Sequence, residues 1–487
     1  MDVNKITELK PELLWKNFYD LTQIPRPSKK EEKVIQFVRE FGEKLKLDVK
    51  VDNVGNVVIK KPATAGMENR KGVVLQSHLD MVPQKNSDSD HDFEKDPIQA
   101  YIDGEWVTAK GTTLGSDNGI GVSAIMAILE SDTIEHGPIE ALFTIDEETG
   151  MTGAFALKPG NLSGDILLNL DSEDEGELYV GCAGGINANI SFVINRENFP
   201  ANHKAYKIIV SGLKGGHSGL DINLGRGNSN KVMVRLLWKV AREFHIKLSD
   251  IEGGNLRNAI PREAYAIVAV PAEKEKDFTE AVKKYAVTIT SELSGTEPDL
   301  KVLASPCDTP KTIIDTDTQI NILNAVYACP NGVIRMSDAV AGLVETSTNL
   351  AVVKSEENKV VVLCLLRGSV DSAKAELADR MRGLFELAGA EVGFDGDYPG
   401  WKPNMDSAIL NTMQEVYNKK FGKKPGILAI HAGLECGIIG GVYPNLDMIS
   451  FGPTIRFPHS PDEKVNIASV QKFWDFLIET LKNIPSK

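Results

Sequence analysis

The sequence predicts an α/β protein in which one domain is interrupted by a second. Strand-length apolar runs lie at 72–76, 139–145 and 165–170, and a helical segment at 118–130 separates the first two. Continuous apolar strands that alternate with helices indicate a mixed or parallel sheet with both faces covered. Alternating helical and strand-like apolar segments return from about residue 409. The chain between the two parts instead follows a pattern of ββα units. We therefore expect a central sheet flanked by helices, built from two separate parts of the chain.

The first domain begins with a helix and a hairpin. Residues 29–46 carry apolar side chains at helical spacing, and 48–61 contains two alternating stretches around a turn. The returning part of the chain predicts a helix, a strand, an apolar segment and a final amphipathic helix, at 409–421, 426–430, 448–454 and 466–482. These elements assign residues 1–187 and 396–487 to the first domain.

Residues 188–395 predict an inserted α+β domain. Its strands are expected at 204–213, 264–272, 346–354, 359–369 and 391–395. Its helices are expected at 229–245, 276–293 and 372–390. The two halves of this domain resemble each other weakly as ββα units.

Composition and charge exclude several classes of protein. The chain has 487 residues, a net charge of −14 and a pI near 5.2, which disfavours nucleic acids and anionic membranes as partners. The longest apolar run, 360–366, is far too short for a membrane span, and no secretory signal is visible. Five scattered cysteines without a CxxC motif argue against disulfides and against a thiolate zinc site. We expect a cytoplasmic protein.

Acidic and histidine side chains follow all three apolar runs of the first domain. The first run ends in His78 and Asp80, the second is followed by Glu147 and Glu148, and the third by Asp171. Ligands of open α/β sheets bind beyond the carboxyl ends of the strands. Carboxylates concentrated there are unfavourable unless a cation compensates them. Imidazole and carboxylate groups together predict a metal site of the zinc or manganese type.

Two further residues are ambiguous when taken alone. Asp117 lies in the sequence Gly-Ser-Asp-Asn-Gly at 115–119, where a helix N-cap or a turn is the simplest interpretation. Beside a two-metal cluster, the same carboxylate could instead bridge both ions. His459 lies between two prolines near the C-terminus, and the residues alone do not connect it to a distant site.

Taken together and in order, these motifs resemble the di-zinc peptidase family of aminoacylases, carnosinases and bacterial dipeptidases. The likeness runs from about residue 10 to the C-terminus, on the motifs at 78–80, 115–119, 146–150, 171–173 and 458–460. Four further segments favour the subgroup of bacterial aminoacyl-histidine dipeptidases, at 24–32, 216–219, 257–263 and 431–437. The first domain would then be the catalytic metallopeptidase domain, and the inserted domain would be a lid and dimerisation domain.

The resemblance implies a ligand set for two divalent ions, zinc in the first place, with manganese or cobalt as alternatives. Asp117 would bridge the two ions. His78 and Asp171 would complete the ligands of one ion, and Glu148 and His459 those of the other.

The resemblance also implies two carboxylates that are not ligands. Asp80 would accept a hydrogen bond from the free ring nitrogen of His78 and fix its tautomer. Glu147 would be the general base, taking a proton from a metal-bridging water and delivering it to the leaving amine.

Four substrate contacts follow from the same likeness. His217 would reach the active site of the partner subunit in a homodimer and stabilise the oxyanion. Asn258 and Arg367 would hold the C-terminal carboxylate of the substrate, and Glu435 would meet its ammonium group.

We therefore predict a metallo-dipeptidase that hydrolyses unblocked dipeptides, including Xaa-His. An N-acyl amino acid deacylase could use the same metal site with a different pocket. A non-catalytic peptide- or metal-binding relative is a third interpretation, which is disfavoured because the base and all ligand candidates are present. The sequence leaves open the preferred dipeptide and the physiological metal.

Overall fold

A computed structural model describes residues 3–487 of the chain. The helices of this part are α1 (Glu12–Thr22), α2 (Glu32–Lys44), α3 (Ser116–Glu130), α4 (Glu147–Gly150), α5 (Thr152–Ala156), α6 (Ser229–Phe244), α7 (Glu275–Glu292), α8 (Thr316–Ala328), α9 (Asp371–Leu387), α10 (Ala408–Phe421), α11 (Glu435–Val442) and α12 (Ile467–Lys482). Short 3₁₀ helices span Val3–Glu8 and Ala272–Lys274.

The strands of the same part are β1 (Asp48–Val51), β2 (Val57–Lys61), β3 (Val73–His78), β4 (Ala100–Asp103), β5 (Trp106–Ala109), β6 (Ile139–Thr144), β7 (Ile166–Asn169), β8 (Glu177–Cys182), β9 (Gly184–Val193), β10 (Arg196–Asn198), β11 (His203–Ser211), β12 (Gly216–His217), β13 (Lys247–Gly253), β14 (Ala259–Ile260), β15 (Ala264–Pro271), β16 (Lys301–Pro306), β17 (Thr312–Ile314), β18 (Gly332–Met336), β19 (Val344–Ser355), β20 (Lys359–Gly368), β21 (Glu391–Tyr398), β22 (Gly426–Ile430), β23 (Asp447–Ser450), β24 (Ile455–Arg456) and β25 (Lys464–Asn466).

The chain divides into two compact units. Unit 1 comprises the chain up to Gly181 together with Pro403–Ala429 and Leu434–Lys487. Unit 2 comprises Cys182–Lys402 and Ile430–Gly433. The inserted domain expected at 188–395 lies within unit 2, and its role as a lid stays a prediction.

Unit 1 is built on an eight-stranded mixed sheet in the order β1-β2-β6-β3-β7-β23-β8-β22. Strand β3 lies between β6 and β7 and pairs with both in parallel. Every residue of these three strands is buried, because Val, Leu, Ile and Phe dominate them and helices cover the sheet. The predicted α/β class is confirmed, and the three strand ends that carry the candidate ligands meet at one edge.

Helix α3 is the central helix of unit 1. It is apolar on nearly all sides and buries almost its whole length, which is the pattern of a core helix. Helices α2 and α12 instead show one apolar face with charges opposite, as expected for helices at the surface of a domain. The packing of α3 fixes the position of its first turn, which contains Asp117.

Unit 2 contains a larger sheet of antiparallel strands in the order β16-β11-β15-β13-β19-β20-β9-β21, with β18 paired to β19. Apolar side chains from the helices α6, α7, α8 and α9 form a core with this sheet. The strands and helices expected in this domain are present within a few residues of their predicted limits.

Among the elements that were not predicted from the sequence are a small sheet and a helix. A four-stranded sheet, β24-β25-β5-β4, is made of strands of two to four residues, too short to show a clear alternation. Helix α8 lies in a stretch of sequence without a regular apolar pattern, although Asp315 marks its start by accepting a hydrogen bond from the Thr318 N–H at 3.0 Å. Within residues 3–487, no helix is both long enough and apolar enough to cross a membrane.

Candidate active site

The candidate site of unit 1 lies at the carboxyl edge of β6, β3 and β7. His78 is the last residue of β3, and Asp171 comes two residues after β7. Glu147 and Glu148 form the start of the short helix α4, which follows β6 after a tight turn at Asp146. The predicted convergence of these side chains is therefore a direct result of the parallel strand order.

Asp117 is the centre of this cluster. Its Oδ1 lies 3.2 Å from Nε2 of His78, and its Oδ2 lies 3.3 Å from Nε2 of His459. On the first side, His78 Nε2 is also 3.3 Å from Oδ1 of Asp171. On the second side, His459 Nε2 is 3.0 Å from Oε2 of Glu148. Two groups of potential metal ligands, one on each side, thus share the Asp117 carboxylate.

Asp80 is fully buried and joins the histidine to the two glutamates. Its Oδ1 lies 3.3 Å from Nδ1 of His78 and accepts the Glu147 N–H at 3.0 Å. Its Oδ2 accepts the Glu148 N–H at 3.2 Å and the Ser28 hydroxyl at 2.8 Å. One carboxylate therefore orients the His78 ring and holds the backbone of both glutamates.

Four acids of the cluster resist ionisation. Burial, with repulsion from neighbouring carboxylates added to it, raises the pKa of Asp171 to about 6, that of Glu435 to about 7 and that of Glu173 to about 8. The same causes raise the pKa of Glu147 well above its usual value. The site therefore concentrates more negative charge than it can stabilise with its own groups.

The two histidines respond in the opposite direction. Burial lowers the pKa of His78, but Asp171, Asp117 and Asp80 outweigh burial and raise it well above its usual value. Hydrogen bonds to Asp117 and Glu148 raise the pKa of His459 to about 11. The neighbouring carboxylates thus create a negative electrostatic potential at both imidazoles, which favours their protonated form or a bound cation.

The residues present fit divalent metal ions. The Oε1 atom of Glu148 is buried without a hydrogen-bond partner, although such an oxygen normally has one. Carboxylate and imidazole ligands together suit zinc, manganese or cobalt. Glu147 borders the same space, since its carboxylate forms a third compact group with His78 and Glu148, with ligand atoms within 4.8 Å of one another.

Glu435 is the first residue of α11 and is 1% exposed. Its Oε2 accepts hydrogen bonds from Nε2 of Gln76 at 2.6 Å and from the Thr144 hydroxyl at 2.8 Å. Its Oε1 is buried and has no hydrogen-bond partner among residues 3–487. Gln76 and Thr144 lie near the ends of β3 and β6, so the same sheet edge also positions this carboxylate.

Three of the predicted site residues, His217, Asn258 and Arg367, lie in unit 2. The ring Nδ1 of His217 accepts the N–H groups of Gly219 at 3.2 Å and Leu220 at 3.0 Å. Burial, followed by the charge of Arg367, lowers the pKa of His217. The imidazole is therefore neutral with its proton on Nε2, which makes it a hydrogen-bond donor.

Arg367 is 5% exposed, and its guanidinium donates hydrogen bonds to the hydroxyl groups of Ser218 and Tyr398, each at 3.4 Å. Within the described part of unit 2 it has no carboxylate partner. Asn258 is exposed, and its backbone carbonyl accepts the Ser218 N–H at 2.8 Å. Asn349 donates to the carbonyls of the residues on either side of Asn258, which holds this loop beside β12.

Sequence reasoning missed three residues that hold the unit 1 site in shape. Asn118 donates a hydrogen bond to Asp171, and Arg26 donates to the carbonyls of Leu79 and Asp80 at 2.8 Å. Glu463 binds backbone N–H groups around Asp117. Arg26 lies in a segment noted only for its likeness to relatives, and Glu463 follows His459 by four residues, so proximity along the chain was the only available signal.

Comparisons with known proteins agree on one family. The chain matches the model of peptidase family M20/M25/M40 over residues 74–483. It is 48% identical to the cytosol non-specific dipeptidase of Escherichia coli (strain K12), over 100% of both chains. The crystal structure of aminoacylhistidine dipeptidase from Vibrio alginolyticus is similar with a TM-score of 0.94 and 53% identity, covering 99% of this chain and 98% of that one. Aminopeptidase PepT from Bacillus cereus shares the fold, with a TM-score of 0.58 and 15% identity over 98% of this chain and 99% of that one.

Proposed function

This chain belongs to peptidase family M20/M25/M40 and is a peptide-bond hydrolase, and we propose that it cleaves unblocked dipeptides with two divalent metal ions. Two full-length relatives that are about half identical to it are named as dipeptidases, which supports this substrate class. The Escherichia coli relative is named for the cytosol, which supports a cytoplasmic location.

The observation that carries the proposal is the position of Asp117 between two ligand groups. Each of its oxygens faces one histidine, at 3.2 Å for His78 and 3.3 Å for His459. We assign His78 and Asp171 to one ion, and Glu148 and His459 to the other. Zinc is the first candidate for both ions. When bound, such ions act as Lewis acids that polarise the scissile carbonyl and make a water molecule more acidic.

Glu147 is the proposed general base. Its backbone N–H is held by Asp80 at 3.0 Å, so the side chain starts from a fixed point beside the ligands. Peptide hydrolysis needs a group that takes a proton from the attacking water and later gives one to the leaving amine. A half-buried carboxylate at this place can do both in turn, because its raised pKa brings its proton affinity closer to those of the attacking water and the leaving amine.

The two ends of a dipeptide have matching charges on this chain. Arg367 is a buried cation without an acidic partner, which suits the carboxylate end of a substrate in a bidentate contact. We assign Asn258 to the same end. Glu435 has a buried unpartnered oxygen, which suits the ammonium end. An N-acyl amino acid lacks that ammonium group, so this pairing favours the dipeptidase over the deacylase.

The test compares four substrate types on the purified protein loaded with Zn²⁺, Mn²⁺ or Co²⁺. We expect hydrolysis of free dipeptides, including Xaa-His, and loss of activity with a chelator. N-acetyl amino acids and N-acetyl dipeptides should be poor substrates because Glu435 would meet no cation. Dipeptide amides should bind weakly because Arg367 would meet no anion. Faster cleavage of N-acetyl amino acids than of dipeptides would instead identify a deacylase, and no cleavage with any metal would identify a non-catalytic relative.

We further propose that the enzyme is a homodimer in which His217 serves the active site of the partner subunit. The neutral imidazole with its proton on Nε2 is suited to donate to an oxyanion. Loss of one such donor typically costs about 10²–10³-fold in kcat, so His217→Ala should be severely impaired. Glu147→Ala should be inactive as well.

Mixing the two inactive variants tests whether His217 acts in the active site of the partner subunit. After joint unfolding and refolding, about half of the dimers should be mixed, and one site in each would combine an intact Glu147 with an intact His217. Activity should return to about a quarter of wild type. Heterodimers that form but stay inactive would show that His217 acts within its own chain.

A converse mixture serves as the control. A chain that carries both substitutions is refolded with an equal amount of wild-type chain. If His217 acts on the partner, only wild-type homodimers are active, which gives about a quarter of the activity of the same total amount of wild type. If it acts within its own chain, about half of that activity remains.

A further inference from the structure

The backbone N–H groups of residues 114–117, in the loop that carries Asp117, are not capped by a side chain of that loop. Helix α3 starts at Ser116 without a side-chain cap, and Asp117 and Asn118 depart from helical backbone angles. Gly115 has a φ of 72°, and a Cβ at that position would lie 2.6 Å from Nη2 of Arg26. The first N–H groups of a helix need acceptors, and here they must come from elsewhere in the chain.

Glu463 supplies these acceptors. Its Oε2 accepts the N–H groups of Leu114 at 2.7 Å and Gly115 at 3.0 Å. Its Oε1 accepts the N–H of Ser116 at 2.7 Å, the Ser116 hydroxyl at 2.6 Å and the N–H of Asp117 at 3.2 Å. Glu463 is 2% exposed, and five donors converge on its buried carboxylate.

Glu463 is itself fixed on the other side. Its backbone carbonyl accepts the Thr108 hydroxyl at 2.7 Å, and the strand β25, which begins at the next residue, pairs with β5. His459 lies four residues earlier in the same loop. Arg26 binds the opposite side of the Asp117 loop through the Gly115 carbonyl. The Asp117 loop is thus fixed between Glu463 and Arg26.

We propose that Glu463 is a positioning residue for the metal centre, which sets the distance between Asp117 and His459 by binding the Asp117 loop. This inference rests on the proposed two-metal site. Glu463 is not itself a ligand in it, because both of its oxygens are occupied by loop donors. Substitution of groups that orient metal ligands typically costs about 10–100-fold in metal affinity.

The test is Glu463→Gln, with Co²⁺ alone as the probe. The glutamine keeps the size of the side chain, but its NH₂ group must face either the Leu114 and Gly115 donors or those of Ser116 and Asp117. The loop should shift, and we expect the Kd for Co²⁺ to rise by about 10–100-fold with an altered visible spectrum. Titration of the metal-free protein by calorimetry and by absorption measures both.

Glu140→Gln is the matched control. Glu140 is also a buried carboxylate, and it accepts the N–H groups of Ser163 at 2.7 Å and Gly164 at 3.0 Å and the Ser163 hydroxyl at 2.7 Å. It lies near the start of β6, at the end of the strand away from Glu147. Both variants should lower the melting temperature of the metal-free protein, but only Glu463→Gln should change the Kd and the spectrum of Co²⁺.

Unchanged Co²⁺ affinity and spectrum in Glu463→Gln, beside normal binding by wild type, overturn this inference alone. Wild-type protein that binds no Co²⁺ refutes the two-metal site and the inference with it. If Glu463→Gln does not refold, Ser116→Ala decides, because it removes only the hydroxyl donor. A weaker Co²⁺ affinity in Ser116→Ala supports the inference, and an unchanged one overturns it.

Discussion

Glu147→Gln should abolish nearly all turnover while the protein keeps its metal ions. The substitution keeps the size of the side chain but removes the carboxylate that would accept and return a proton. Loss of a general acid–base group costs about 10²–10⁴-fold, and we expect a fall in kcat at the upper end because the role proposed for Glu147 includes both proton transfers. KM should change little. Steady-state kinetics and elemental analysis of the same preparation measure the two properties separately.

Glu148→Gln is the matched control, since it makes the same chemical change at the next residue. Glu148 lies 3.0 Å from His459 and belongs to a ligand group that includes Asp117. This variant should lose metal as well as activity. If Glu147→Gln loses metal in the same way, Glu147 is a ligand and the base must be sought elsewhere. If it retains substantial activity, Glu147 is not the base.

Asp117→Ala should lose both metal ions, because its carboxylate faces both ligand groups. The clearest measurement is the melting temperature with and without a chelator. A ligand present at about 1,000 times its Kd stabilises a protein by about 4 kcal/mol, so wild type should melt at a clearly lower temperature in the chelator. Asp117→Ala should melt at one temperature in both conditions, and its activity should be lost.

The variant should also be less stable than wild type when both are free of metal. Burial raises the pKa of Asp117, but hydrogen bonds with His459 and His78 outweigh burial and hold it well below its usual value. The ionised carboxylate therefore stabilises the folded protein at neutral pH, and Asp117→Ala removes that contribution. Asp171→Ala, which touches one group only, should retain part of the metal-dependent stabilisation. Full metal content in Asp117→Ala would remove Asp117 from the bridging position.

The strand-end residues of the site could be predicted because their positions follow from the fold. Parallel strands bring their carboxyl ends to one edge, and the sheet order places β3 directly between β6 and β7. His78, Glu148 and Asp171 are therefore close as soon as the sheet is correct. The family resemblance alone connected His459, because it lies 342 residues after Asp117, in a loop without periodic pattern.

Groups that act on the backbone leave a weaker signal in the sequence. Glu463 binds peptide N–H groups, which every residue except proline has, so no complementary side chain marks the loop that it holds. Arg26 likewise binds carbonyl groups of the residues after β3 and before α3. Such residues can be found only when the path of the chain is known. The small sheet of β4, β5, β24 and β25 was not predicted because its strands are too short to show an alternation of apolar and polar residues.

The division of unit 1 into separate stretches of chain has a consequence during synthesis on the ribosome. Strand β23 lies between β7 and β8 in the unit 1 sheet, yet the whole of unit 2 is made before it. At about 5–20 residues per second, the 342 residues from Asp117 to His459 take roughly 20–70 s to translate. By the time residue 402 has been made, unit 2 has all nine strands of its main sheet, whereas the acidic cluster of unit 1 still lacks His459. The proposed metal site can therefore be completed only near the end of synthesis, and the sheet of unit 2 can form before that of unit 1.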